Sequence, residues 1–211
     1  ATLEFAIAAG DVAASLGSHR EAAFQYGRAM AHCELLDPPA QIDLLRKRAS
    51  ECFLTDDQHS AITAWERLVP MLRHADRPRE LADALLRYSR TLTTIGDHMR
   101  PPTLIDEALE AVADLPPGPE LALAHSMRCM LYLNACEREP AMPWGERGVQ
   151  LANDVGDPHV LSYAVNSLAC CYVEVDAPRA AALMHQSIQI ALEHDLEDDA
   201  ARGYNNLVYA L

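Results

Sequence analysis

The chain has 211 residues, half of them hydrophobic, which is enough apolar material for a sizeable core and excludes a disordered tail. Its formal net charge is −14, whereas nucleic-acid phosphates and anionic lipid surfaces both require clustered cations, so neither is an expected partner of these residues. No run approaches about 18 consecutive apolar residues, so no membrane span is expected, and β-branched runs bounded by turn residues are missing, so no sheet is expected either.

Taken in order, the chain divides into helical hairpins. Repeat one covers residues 2–36. Its segment 10–30 reads as two helices joined at Leu16-Gly17-Ser18, with small Gly10, Ala22 and Ala29 allowing close approach and bulky Phe24 and Tyr26 filling the gaps. Asp37-Pro38-Pro39 is expected to end it, because proline lacks the N–H that the next turn needs. Repeat two (40–75) carries Leu44, Leu45, Ala49, Cys52 and Phe53, then a capping turn at Thr55-Asp56-Asp57, then Ala61, Ile62, Trp65, Leu68 and Leu72.

Repeat three (78–115) places Leu85, Tyr88, Ser89 and Leu92 on its first helix and turns at Gly96-Asp97. Pro101-Pro102 delays its second helix to a start near Pro101, since proline suits only a first turn. Repeat four (120–156) carries Met127, Cys129 and Leu131, then Ala141, Trp144, Gly148 and Ala152, with Pro140 and Pro143 pressing on the start of its second helix. Repeat five (159–195) carries Tyr163, Leu168, Ala169 and Tyr172, then Ala180, Met184, Ile188 and Leu192. A partial repeat, 198–211, adds one more first helix.

The small-residue frame runs in step along the chain. It recurs at Gly10, Ala49, Ser89, Cys129 and Ala169, at Ala22, Ala61, Pro101, Ala141 and Ala180, and at Ala29, Leu68, Ala108, Gly148 and Ser187, at spacings of 39 or 40. A period near 40 with two helices per unit defines an all-α helical-hairpin solenoid of about five pairs plus one helix. Asn205-Asn206-Leu207-Val208 repeats Asn166-Ser167-Leu168-Ala169 at a spacing of 39, and neither end shows a polar cap, so an excised piece of a longer solenoid is expected. No signal peptide is visible at Ala1.

Catalytic and metal motifs do not emerge. The densest acidic cluster, Glu193-His194-Asp195 with Glu197, Asp198 and Asp199, lacks the alternating spacing of a calcium loop. No HExxH and no GxSxG occur, so an enzyme is not expected. None of the six cysteines forms a CxxC pair, which fits reduced, buried thiols in a cytoplasmic protein, and Cys170-Cys171 point apart on a helix. Trp65 and Trp144 read as core. Arginine outnumbers lysine 16 to 1 beside abundant alanine, a bias of GC-rich bacterial genomes.

The pattern Leu16-Gly17-x4-Ala22-x6-Ala29 resembles the helix-turn-helix core of the tetratricopeptide family. The phrases Ala13-Ala14-Ser15-Leu16-Gly17-Ser18-His19-Arg20-Glu21-Ala22-Ala23 and Trp144-Gly145-Glu146-Arg147-Gly148, with the long repeat, resemble the MalT-like sensor region of large LuxR-type ATP-binding bacterial regulators. The resemblance implies a right-handed superhelix whose first helices line a concave groove. It also implies an upstream ATPase module and a downstream DNA-binding domain. No phosphate-binding loop lies in these residues, so no cofactor is expected here and ATP would bind the missing upstream domain.

Carried over by register, the groove positions are Arg46, Lys47 and Ser50; Leu86, Arg87 and Arg90; Ser126, Met127 and Met130; Asn166, Ser167 and Cys170; and Asn205 and Asn206. Arginine can bind a carboxylate bidentately and asparagine can bind a peptide backbone. The competing reading pairs these cations with Asp43, Glu51 and Asp83. The expected function is non-catalytic sensing of a protein, peptide or small effector within a transcriptional regulator, with homo-oligomerisation through the parent protein left open. The alternative is a free-standing tetratricopeptide adaptor that bridges proteins.

Overall fold

The computed structural model describes residues 2–210, with side chains to Val208, so the Leu211 end of the last expected helix lies outside it. Among the described residues the fold is all-α and no strand occurs. The helices are α1 (Thr2–Ser15), α2 (His19–Met30), α3 (Pro38–Leu54), α4 (Gln58–His74), α5 (Pro78–Thr94), α6 (Pro101–Ala111), α7 (Pro119–Asn134), α8 (Arg138–Val155), α9 (Pro158–Tyr172), α10 (Ala177–Glu193) and α11 (Glu197–Ala210). They form two compact units. The N-terminal unit runs to Glu107 and the C-terminal unit starts at Ala108.

Capping and turn chemistry set the helix ends. Asp37, Asp57, Asp157 and Asp176 each accept a backbone N–H three residues on, from Ala40, Ser60, Val160 and Arg179, at 2.9–3.2 Å. Left-handed backbone recurs at the hairpin turns at Gly17, Asp56, Gly96 and Cys136, so the repeat period is written into φ as well as into side-chain size. At Cys136 (φ 62°) a side chain occupies a conformation that favours glycine.

Several details depart from expectation. Pro38 and Pro39 do not close repeat one. α2 has already ended at Met30, and Pro38 opens α3, where its missing N–H belongs to a first turn that needs none. α8 likewise starts at Arg138, ahead of both prolines. Pro143 lies inside it on an exposed face, where the carbonyl it leaves unpaired faces water. Phe24 does not fill the hairpin gap: it is 60 % exposed while Tyr26 is 2 % exposed. Phe24 follows Ala22 by two residues, about 200° around the helix, so it points away from the face that Ala22, Tyr26 and Ala29 share.

Every residue of the small-residue frame is buried. In the N-terminal unit Ala6, Ala13, Ala22, Tyr26, Ala29 and Cys33 pack together with Leu44 of the next hairpin. In the C-terminal unit Ala122, Leu151, Ala152, Val160 and Ala164 join α7, α8 and α9. At Gly148 an added Cβ would stand 2.5 Å from Ser126 Oγ and 3.2 Å from the Ser126 backbone nitrogen, which cannot swing aside as a side chain can. Alanine there should improve helix propensity by about 1 kcal/mol, yet overpacking against backbone costs about 1–3 kcal/mol. Gly148→Ala is therefore expected to lower stability by about 1 kcal/mol, read as a drop in the guanidinium midpoint. A midpoint at or above the parent's would mean that α7 and α8 separate freely.

Candidate ligand-binding surface

In the N-terminal unit the groove cations meet carboxylates. Lys47 Nζ lies 2.9 Å from Asp11 Oδ1 and 2.9 Å from Asp43 Oδ2. Arg46 Nη2 donates to Asp43 Oδ1 at 2.9 Å, and its Nη1 stands 3.9 Å from Glu80. Arg87 Nε donates to both oxygens of Asp83 at 2.9 Å, and the Arg90 guanidinium covers the Phe53 ring at 4.9 Å. Burial pushes the Asp43 carboxyl up, but its bonds to Lys47 and Arg46 outweigh this and hold it below its ordinary value. Burial pulls Lys47 down, and Asp11 and Asp43 more than restore it. The result is a ladder of alternating charge across α1, α3 and α5. Its members are partly exposed, so each pair is worth about 0–1 kcal/mol, and an anionic ligand would have to displace a carboxylate to engage these cations.

In the C-terminal unit the corresponding helices surround a cavity of about 330 Å³. Met130 and Asn134 of α7, Cys170 and Glu174 of the α9 segment, Met184 of α10 and Asn206 of α11 line it. Cys136 and Arg138 stand at its edge, and Arg138 pairs with Glu174. Burial pushes the Cys170 thiol up to about 11, so it is a neutral wall group at pH 7. The cavity therefore offers amides, thioethers, two thiols and one ion pair.

A partly buried polar chain backs this wall. Asn206 Nδ2 donates to Asn166 Oδ1 at 2.6 Å and approaches Cys170 Sγ at 3.6 Å. Arg202 donates to Asn166 Oδ1 at 3.1 Å and to Asp199 Oδ1 at 3.2 Å, and it lies over the Tyr163 ring. His159 Nδ1 stands 2.5 Å from Asp199 Oδ2. Burial raises the Asp199 carboxyl, but His159 and Arg202 together hold it below its ordinary value.

Of the expected groove residues, Met130 and Asn206 meet at the cavity, with Cys170 between them. Met127 and Asn166 are buried beneath the surface, and Asn205 is exposed. Arg46, Lys47, Arg87 and Arg90 belong to the N-terminal unit. Sequence reasoning missed Asn134, Arg138 and Glu174. Asn134 and Glu174 lie five residues past the frame positions Cys129 and Ala169, a register that a longer reading of the repeat would have reached. Among the described residues no three His, Cys, Asp or Glu side chains converge as a metal site. No described helix is long and apolar enough to cross a membrane.

No family model matches the chain, and no curated protein matches it. Solved structures do. The Rap conjugation gene regulator of plasmid pLS20, in complex with the Phr* peptide, aligns with a TM-score of 0.75 at 13% identity, over 95% of this chain and 56% of that one. The Signal Transduction ATPase with Numerous Domains with a tetratricopeptide repeat sensor, from Pyrococcus horikoshii, aligns with a TM-score of 0.72 at 15% identity, over 99% of this chain and 33% of that one. BtubC from P. vanneervenii aligns with a TM-score of 0.67 at 18% identity, over 88% and 78%. At these identities the likeness carries the fold, which is that of the tetratricopeptide-like helical-hairpin solenoids.

Proposed function

We propose that this chain is a non-catalytic sensing and interaction region that binds a peptide or small effector at the cavity of its C-terminal unit. The observation that carries the reading is the convergence of three successive first helices, α7, α9 and α11, on an open cavity lined by the amides of Asn134 and Asn206. Asn134 and Asn206 suit an extended backbone, the two methionines suit an apolar side chain, and Arg138 with Glu174 suits a charged end. Support also comes from the company the fold keeps: one similar structure holds a peptide, and another is described as a repeat sensor of an ATPase. We place the region in a LuxR-type, MalT-like bacterial regulator acting in the cytoplasm, with ATP bound by an upstream domain and DNA by a downstream one. Effector binding would then bias the regulator through differential affinity for its resting and assembled states.

The alternative adaptor role is favoured by Leu16, Leu54 and Ile95, which stand exposed at the three hairpin turns of the N-terminal unit. Flanking sequence separates the two readings, since only the first requires a phosphate-binding loop upstream and a helix-turn-helix downstream. The direct test is a thermal-shift screen with short peptides and small anionic metabolites, each hit repeated on Asn134→Ala and Arg138→Ala. Saturation at 100 times Kd stabilises the folded state by about 2.7 kcal/mol. That stabilisation is expected to shrink in both variants, and a hit unchanged in both would remove the cavity from the reading.

A further inference from the structure

We propose that Cys129 and Cys171 form a reversible dithiol–disulfide couple that fastens α7 to α9 directly behind the cavity wall. Their Sγ atoms stand 3.4 Å apart, and both side chains are fully buried. Both sulfurs also face one acceptor, the Ser167 carbonyl, at 3.8 and 3.9 Å.

The repeat itself does not require this pair. At the same spacing of 42 the equivalent positions are Ser89 and Leu131 one repeat earlier, Ala49 and Thr91 two earlier, and Gly10 and Cys52 three earlier, so none of these repeats carries cysteine at both ends. Cysteine at the small-residue position alone would read as a buried small hydrophobe. Cysteine at both ends of the contact supplies the chemistry of a bond. A shared metal fits less well. Two thiolates on one zinc, each about 2.3 Å from it in tetrahedral geometry, would sit roughly 3.8 Å apart and would need further ligands. No third His, Cys, Asp or Glu joins them among the described residues. The vicinal Cys170 points into the cavity instead, and Cys136 lies exposed on the α7–α8 turn.

The contact with Cys129 holds the Cys171 thiol below its ordinary value, whereas Cys129 is pushed up, first by that contact and then by burial. We assign the attack to Cys171, and the same steps balance with the two sulfurs exchanged. With hydrogen peroxide as oxidant, the Cys171 thiolate attacks one peroxide oxygen. The O–O bond breaks, and the departing hydroxide takes a proton to leave as water, giving a sulfenic acid. The Cys129 sulfur then attacks that sulfur, the S–O bond breaks, and a second water leaves with the Cys129 proton. Two sulfurs have lost two electrons and the peroxide has gained them. Leu133 packs against the cluster that holds the pair and also lines the open cavity, so the cavity side is the route by which a small oxidant approaches.

The disulfide stands independently of the ligand reading above, and only its effect on binding rests on that reading. Folded protein is treated with hydrogen peroxide, quenched, unfolded, alkylated and mapped by mass spectrometry. The expected result is an intact mass lower by two hydrogens and a cross-linked peptide joining Cys129 to Cys171. Both should revert with dithiothreitol, and the melting midpoint should rise in the oxidised form. Cys136→Ala and Cys170→Ala should retain the cross-link, and Cys171→Ala should lose it. A cross-link to Cys136 or Cys170, or Cys129 and Cys171 both fully alkylated while other thiols oxidise, would overturn the proposal. Any peptide hit is then titrated into reduced and oxidised protein. A change in Kd links the couple to the cavity, and an unchanged Kd sinks that link while leaving the disulfide standing.

Discussion

Asp199→Ala is expected to lower stability by about 2–4 kcal/mol and to free α11 from α9. Asp199 is 2 % exposed and meets the Arg202 guanidinium and the His159 imidazole. Removing one member of a buried charge network leaves the others desolvated without compensation, a loss of about 3–5 kcal/mol when all are fully buried. Here the partners keep some access to water, which discounts the figure. The sign with pH follows from the depressed carboxyl. Its folded value lies below the ordinary 3.8, so its contribution is complete above pH 3.8 and is lost as pH falls through the folded value. In the alanine variant that acid-dependent component should be gone. Denaturant unfolding between pH 7 and pH 2.5, with hydrogen exchange on the α11 amides, measures both. Equal stability of parent and variant at pH 7 would mean that apolar packing around Leu207 and Ile188 holds α11 unaided. The same variant loosens Arg202, and with it the hydrogen bonds that fix Asn166 behind Asn206.

What the chain discloses and what it hides divide along physical lines. Small residues at a fixed period mark where helix backbones touch, and all of Gly10, Ala49, Ser89, Cys129 and Ala169 are buried. Asp57 could be read as a cap and Pro101 as a helix start because each acts on its own neighbours in sequence. The groove was less legible because its chemistry depends on partners one repeat away. Asp11 meets Lys47 across 36 residues and Arg46 meets Glu80 across 34, offsets that a repeat of 39 or 40 allows but does not demand. Asn166 was read as a groove amide, yet it is buried because Arg202 and Asn206 close over it. The cavity also depends on Cys136, whose turn position recurs along the chain while its side chain does not, and on Arg138 just after that turn, outside the small-residue frame. The approach of Cys129 to Cys171 could be read only after α7 had been laid beside α9.

The two tryptophans should respond very differently to truncation. Trp65 is 1 % exposed on α4, and its indole N–H donates to Thr91 Oγ1 of α5 at 3.2 Å. Thr91 keeps a partner without it, because its hydroxyl donates to the Arg87 carbonyl at 2.9 Å, so the loss is mainly of volume. An emptied tryptophan site costs about 3–5 kcal/mol where the surroundings cannot collapse. Leu68, Leu85 and Leu92 are themselves fully buried nearby in sequence on the same two helices, which leaves little slack for collapse. Trp144 is only half-buried, between the His125 ring at 4.9 Å and the Arg128 guanidinium at 5.7 Å, and alanine there should cost about 1–2 kcal/mol. Because hairpin stacks sum local and nearest-neighbour terms, the Trp65→Ala loss falls on the α3–α4 hairpin and its contact with α5. Guanidinium unfolding followed by ellipticity gives the size of each loss. The tryptophan left in each variant gives its place: Trp144 reports the C-terminal unit when Trp65 is gone, and Trp65 the N-terminal unit when Trp144 is gone. Equal losses in the two variants would contradict the assignment of Trp65 to the core and of Trp144 to its edge.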